Sequence, residues 1–292
     1  MTPRDALKKA AATLSAAGVS SSRLDAEILL AHALDISRER LLLAGDIMLI
    51  AHQVGKFEAL IQRRQKREPV ARITGVQEFW SLPFHVTRDT LIPRPDSETL
   101  VAAVLKMVPS DKPQHFLDLG TGTGCLLHSL LSELPKATGL ATDFSTGALA
   151  CARKNAEALN LTGRVEFKTF DWTRDAAIKG RKFDVVISNP PYIPKAGIGR
   201  LQPEVADYAP GRALDGGESG LIHYRAILAR APEFFGPQGG RIFLEVGDGQ
   251  AVALTTLLAG VGFTNRQTWP DLAGIPRVVS AQKPVEKPPK KS

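Results

Sequence analysis

From about residue 114 onward the chain alternates short apolar runs of strand length with longer stretches of helical period. The strand candidates are 115–119, 139–143, 165–169, 185–188, 241–246 and 278–282. Helical stretches fall among them at 126–134, 146–160, 220–234 and 250–259. Alternation of this kind predicts an α/β fold, a doubly wound sheet with helices on both faces. It also predicts where a ligand goes, because such sheets bind outside the carboxyl ends of their strands.

Three of those strand ends carry polar or glycine-rich signals. The run Phe116-Leu117-Asp118-Leu119 leads into Gly120-Thr121-Gly122-Thr123-Gly124 and then into a helix. Glycines there let the backbone turn sharply and approach a ligand closely. A dinucleotide fingerprint requires a glycine at position 125, which is Cys125 here, so the loop alone favours S-adenosylmethionine over a dinucleotide. Asp143 closes the next strand, where a carboxylate can accept both hydroxyls of a ribose or cap the helix after Ser145. Asp171-Trp172 follows the third strand, and the indole can line an adenine pocket or simply pack.

The fourth strand end reads Asn189-Pro190-Pro191-Tyr192. Two prolines in succession have no backbone N–H and hold the preceding residues extended, so the loop is stiff and offers acceptors almost without donors. Asn189 adds a side-chain carbonyl and Tyr192 a flat aromatic face. Rigid acceptors beside an aromatic plane suit a planar –NH2 group, either an amide or the exocyclic amine of a base.

The front of the chain has a different character. Thr2-Pro3 reads as a helix cap with proline at the first helical position, and Leu7, Ala10, Ala11 and Leu14 follow at helical spacing. Further helices are expected from Ser22, from Ser37-Arg38 and through Phe57, Leu60 and Ile61. The expected organisation is a helical substrate-recognition domain over 1–75, a hairpin and linker over 76–96, a catalytic domain over 97–283 and a disordered basic tail over 284–292.

Net charge is +7, from 37 Lys and Arg against 30 Asp and Glu. Much of it sits in the tail and in Arg63-Arg64-Gln65-Lys66-Arg67, read as a loose tail and a solvated face and not as a nucleic-acid groove. The two cysteines, Cys125 and Cys151, are too few for a disulfide framework or a four-ligand zinc site, and no metal is expected. No apolar run approaches membrane-spanning length, so a cytoplasmic protein is expected.

Taken with the glycine loop, Asn189–Tyr192 resembles the class I S-adenosylmethionine-dependent methyltransferases that modify planar nitrogen. More narrowly, the chain resembles the peptide chain release factor N5-glutamine methyltransferases (PrmC/HemK). The segments that carry this are Glu78-Phe79-Trp80, Leu91-Ile92-Pro93-Arg94-Pro95-Asp96-Ser97-Glu98, Asp118–Gly124, Asp171-Trp172, Ser188–Ile193, Pro203-Glu204-Val205, Ala213-Leu214-Asp215-Gly216-Gly217 and Asp271–Arg277.

The resemblance implies a Rossmann-like methyltransferase domain behind a small all-helical domain. It implies methylation of the side-chain amide nitrogen of the glutamine in the GGQ motif of class I release factors. By the same match Gly120, Thr121, Gly122, Thr123, Gly124, Asp143, Trp172 and Asn189 bind S-adenosylmethionine, and Asn189, Pro190, Pro191 and Tyr192 hold the glutamine, with Asn189, Pro190 and Tyr192 in the catalytic role. The expected partner is the release factor alone: no membrane, no DNA, and a monomeric enzyme.

One departure stands out. Ala209-Pro210-Gly211-Arg212 occupies the place where relatives carry an acidic-Pro-Arg segment. Two rival substrates share the motif: a glutamine of a ribosomal protein, and adenine N6 in DNA. Pro93-Arg94-Pro95-Asp96 fits the release-factor type better than the ribosomal one, and a DNA enzyme needs base flipping and a recognition domain that the small helical front does not resemble.

Overall fold

The computed structural model describes residues 1–43, 48–175, 178 and 180–285. The basic tail from residue 286 onward lies outside them. The chain divides into two compact units, Met1–Val76 with Gln202–Tyr208, and Gln77–Leu201 with Ala209–Ser292.

The first unit is helical: α1 (Pro3–Ala16), α2 (Ser22–Leu34), α3 (Arg38–Leu43), α4 (Ala51–Gln65) and α5 (Val70–Thr74). Thr2 caps α1 in a reciprocal box with Asp5, which satisfies two N-terminal donors. Leu7, Leu14, Leu29, Leu30, Phe57 and Ile61 form its core. The basic run at the end of α4 is a solvated face only in part: Arg63 and Lys66 are exposed, but Arg64 and Arg67 are not. Arg64 is only 5% exposed; its Nε donates to Asp25 at 2.7 Å and its Nη2 to Glu204 at 2.9 Å. Arg67 grips both oxygens of Glu204 at 2.7 Å. These ion pairs explain why Gln202–Tyr208 belongs with the helices although its neighbours in sequence belong with the sheet.

In the second unit β1 (Val76–Phe79) and β2 (Leu82–His85) form a hairpin, turned by Trp80 and Ser81 at φ 53° and 57°. Phe79 and Phe84 are buried in the same cluster as the sheet's lower face, so the hairpin is part of this unit's core. Seven strands make the sheet: β3 (His115–Leu119), β4 (Thr138–Asp143), β5 (Val165–Thr169), β6 (Val185–Ser188), β7 (Gly240–Glu245), β8 (Thr264–Pro270) and β9 (Pro276–Lys283). Their order is β5-β4-β3-β6-β7-β9-β8, parallel except for β9, which runs antiparallel to both neighbours. The order reverses between β3 and β6, the switch point at which the strand ends part to make a crevice. Helices α6 (Glu98–Met107), α7 (Cys125–Glu133), α8 (Thr146–Ala158), α9 (Lys195–Ile198), α10 (Pro203–Ala206, in the helical unit), α11 (Ile222–Phe234) and α12 (Ala251–Gly260) complete the element order. Separate apolar clusters, around Phe116, Leu127 and Phe243 and around Leu117, Tyr224 and Leu244, cover the two faces of the sheet.

His128 on α7 has no exposed surface, and neither ring nitrogen has a hydrogen-bond partner. It lies parallel to the Phe84 ring and fills the space beneath Gly124, where a Cβ would overlap it. Burial pushes the imidazole down to about 3. An unfolded histidine titrates near 6.5, so between those values the unfolded chain binds the extra proton and stability is lost as pH falls, by about 1.4 kcal/mol per pH unit. Asp118 and Glu245, pushed up by burial to about 7, act in the opposite sense over much of that range, so the comparison must be between variants. Relative to wild type, His128→Leu is expected to gain about 2 kcal/mol between roughly pH 8 and pH 5. Denaturant unfolding at the two pH values checks this; a difference that does not change with pH would overturn it.

Candidate active site

The glycine loop leaves β3 in a tight arch. Gly120, Gly122 and Gly124 all have positive φ, at 74°, 55° and 81°. The N–H groups of Gly120 and Thr121 both donate to the Thr142 carbonyl at the end of β4, at 2.9 and 2.8 Å. A side chain at Gly120 would press on the Trp172 ring at 3.2 Å, so glycine is required there for contact as well as for conformation.

Asp143 completes this arch from the neighbouring strand. One carboxylate oxygen accepts from Gly122 N at 3.0 Å and the other from Ser145 N at 2.9 Å. Burial raises its pKa against those bonds. Each oxygen keeps a further lone pair, so a carboxylate already tied to Gly122 and to Ser145, the N-cap of α8, can still accept from a hydroxyl.

Asp118 lies beneath the loop, 1% exposed. Thr121 Oγ1 donates to its Oδ2 at 2.6 Å, while Oδ1 is buried without a partner. Burial pushes this carboxyl up to about 7.

Asn189, Pro190 and Pro191 leave β6 on the far side of the switch point. The cavity over the glycine loop is lined by Gly120, Thr121, Gly122, Thr123, Asp143, Asn189 and Pro191 together, with Arg94 and Ser97. Asn189 Nδ2 donates to Ser97 Oγ at 3.3 Å. No backbone N–H of the described residues donates to the Pro190 carbonyl. Gly124 and the buried Pro190 do not line the cavity.

Two expected residues sit elsewhere. Trp172 lines an adjoining cavity with Phe144, Phe170, Arg212 and His223. Phe144, Pro191 and Arg212 border both cavities, with the Arg212 guanidinium 5.5 Å above the Phe144 ring. Tyr192 lines neither; its hydroxyl turns inward and donates to Glu245 Oε1 at 3.3 Å. Its backbone is gripped by Gly216 and Gly220, where a Cβ would fall within 2.8 Å of Tyr192 main-chain atoms. That close approach accounts for Gly216, whereas Gly217 has φ 76° and abuts Ile222.

Here Asp96 is held by Arg277 at 3.3 Å, itself bound to Asp271, while Arg94 faces the main cavity. His223 stands edge-on to Trp172 and bonds the Asp215 carbonyl at 3.1 Å. Glu245 is buried directly behind Tyr192. Among the described residues no group of side chains could hold a metal ion.

The chain is similar to known proteins along nearly its whole length. Residues 5–75 match the PrmC N-terminal domain and residues 96–223 the methyltransferase small domain. The release factor glutamine methyltransferase of Cereibacter sphaeroides is 43% identical over 97% of this chain and 99% of its own. That of Rhodospirillum rubrum is 43% identical over 95% and 84%. Among solved structures, a methyltransferase from Pyrococcus furiosus has a TM-score of 0.52 at 16% identity, covering 78% of this chain and 98% of its own, and so shares the fold.

Proposed function

The chain belongs to the release factor glutamine methyltransferases, and from that premise we propose that it moves a methyl group from S-adenosylmethionine to the side-chain amide nitrogen of the GGQ glutamine in class I peptide chain release factors. The observation that carries this reading is one cavity lined by both the glycine loop with Asp143 and the acceptor loop Asn189–Pro191.

The residues fit the donor. Asp143 offers lone pairs to ribose hydroxyls, the buried Trp172 borders the space for a base, and the partnerless Asp118 oxygen favours a cation above the loop. S-Adenosylmethionine supplies a methyl group already activated on a sulfonium. An amide nitrogen is a poor nucleophile because its lone pair is delocalised into the carbonyl. The Asn189 side-chain carbonyl and the Pro190 main-chain carbonyl each accept one N–H of the glutamine, which aims the remaining lone pair at the methyl. Positioning and exclusion of water supply most of the acceleration, and no side chain serves as a strong base. Tyr192 acts from behind the acceptor loop, where its hydroxyl meets Glu245.

The same reading places the enzyme in the cytoplasm as a monomer that binds neither DNA nor a membrane. It rests on membership of the release factor glutamine methyltransferases. Incubation with labelled donor and purified release factor, its GGQ-to-GGA variant, ribosomes and DNA tests it. Label on the wild-type factor alone is the expected result; label on ribosomal protein or DNA overturns it.

Asp118 makes donor binding pH-dependent. A bound cation favours its ionised form, so with an apo value of about 7 binding releases a proton and affinity rises as pH increases through neutrality. Calorimetry in two buffers of different ionisation enthalpy should detect that proton, and Asp118→Asn should abolish most of the release. Unchanged release in the variant would remove Asp118 from this role.

A further inference from the structure

Gln250 stands at the N-terminus of α12, in the loop that follows β7. β6 and β7 are parallel neighbours, so this loop adjoins the acceptor loop on the same rim of the sheet. The Gln250 side chain spans the gap between them. Its Nε2 donates to the Tyr192 carbonyl at 2.8 Å and, at 3.4 Å, to the Gly220 carbonyl. Its Oε1 accepts from the Gly247 N–H at 3.1 Å. Carbonyls at one end and an N–H at the other allow a single orientation of the amide.

The surrounding glycines make room for this bond. Gly220 has φ 72°, and a Cβ there would overlap both Gln250 Nε2 and the Tyr192 carbonyl oxygen. A Cβ at Gly247 would lie 2.9 Å from the Tyr192 ring and 3.0 Å from Gln250 Oε1. No backbone N–H of the described residues donates to the Tyr192 carbonyl, so Gln250 is its anchor.

What the anchor fixes follows from the prolines. Pro190 and Pro191 each lock φ, and the residue before each proline is held extended. The segment from Asn189 to Tyr192 therefore has few soft torsions and moves as a short rod. Its prolines have no N–H with which to tie it down, so it must be held at its ends. The near end continues β6, where Ser188 Oγ donates to the Leu119 carbonyl at 2.6 Å, and the far end is held by Gln250. A rod held at both ends keeps the Pro190 carbonyl and the Asn189 side chain in place relative to the glycine loop. Gln250 itself lines neither cavity, so it touches no reactant and acts through the loop. We propose that Gln250 is a positioning residue for methyl transfer, holding the acceptor loop against the donor site through the Tyr192 carbonyl. This rests on the function proposed above.

The test combines a spectrum with kinetics. Gln250→Met keeps the length of the side chain and removes its hydrogen bonds. Tyr192-Ile193 is the single Tyr–Ile pair in the sequence, so 13C-carbonyl tyrosine with 15N-isoleucine isolates the Tyr192 carbonyl resonance. That resonance is expected to move upfield in Gln250→Met, as the carbonyl loses its donor. In the methylation assay the variant should lose roughly 10–100-fold in kcat, the scale of a small misplacement at a reacting centre, with donor Kd changed less than about threefold. Gly220→Ala pushes the same bond apart from the other side and should lose activity by the same route. The double variant should then be no slower than the slower single, because two changes that break one contact do not add. Wild-type kcat in Gln250→Met, a Tyr192 resonance that does not move, donor Kd that worsens as much as kcat, or losses that multiply in the double variant would each overturn the proposal. A resonance that moves as expected, in an enzyme whose wild type does not methylate release factor, would instead sink the functional reading.

Discussion

Asn189→Ala is expected to lower kcat by about 10²–10³-fold, the loss typical of removing one preorganised group aimed at a reacting centre. Donor Kd should rise by no more than about tenfold, the worth of one hydrogen bond. The difference between the two numbers is the informative quantity. Asn189 lines the donor cavity, but Gly120–Thr123 and Asp143 line it too and are untouched by the substitution. Nothing among the described residues duplicates its carbonyl beside the Pro190 carbonyl, so loss falls mainly on the step in which the amide is aimed. Asn189→Asp sharpens the result. It keeps an acceptor but sets a charge against Ser97 Oγ in a half-buried position, so it should also lose most activity. Single-turnover methylation with saturating donor checks both. Near-normal turnover in Asn189→Ala with normal donor binding would remove the acceptor clamp from the mechanism.

How much of this was legible beforehand depended on whether a signal was local. Asp118–Gly124 and Asn189–Tyr192 announce themselves because each is a strand end whose backbone chemistry is written in consecutive residues. Six of the seven sheet strands were legible for the same reason, their apolar runs being short and bounded. The seventh, Thr264–Pro270, was not: all its residues but Trp269 are exposed, it carries Arg266, and Asn265 breaks its register at φ 48°. As an edge strand it has one paired side and no core-facing run to betray it. Glu245 carries no such local signal, because nothing near it in sequence announces Tyr192, whose hydroxyl meets it from 53 positions away. The helical front was read correctly as helices from periodicity, whereas its charge was misread. Periodicity reports which residues are apolar, not which cations are neutralised by distant carboxylates.

Arg64 is where that misreading has the largest thermodynamic consequence. Arg64→Ala is expected to destabilise the helical unit by about 3–5 kcal/mol, because it leaves Asp25 buried without its counter-charge. Asp25 is only 6% exposed, and its 2.7 Å partner is the Arg64 Nε, so water cannot readily replace the guanidinium. An exposed pair such as Lys9–Glu58 should cost less than about 1 kcal/mol when broken. Glu204 behaves differently from Asp25. It is shared with Arg67, and against the burial that raises it Arg67 and Arg64 hold its carboxyl down at about 2. A depressed carboxyl contributes stability that is present above its unfolded value near 4.3 and is lost as pH falls toward 2, so Glu204→Gln should flatten the acid limb of stability in that window. Arg64→Ala should not flatten that limb fully, since Arg67 still grips Glu204. The double variant Asp25→Leu with Arg64→Met separates charge from packing: replacing a buried pair by apolar groups of similar volume is often neutral. Denaturant unfolding should therefore rank Arg64→Ala well below the double variant. If the two are equally destabilised, the pair contributes through packing, and the charge account of this unit fails.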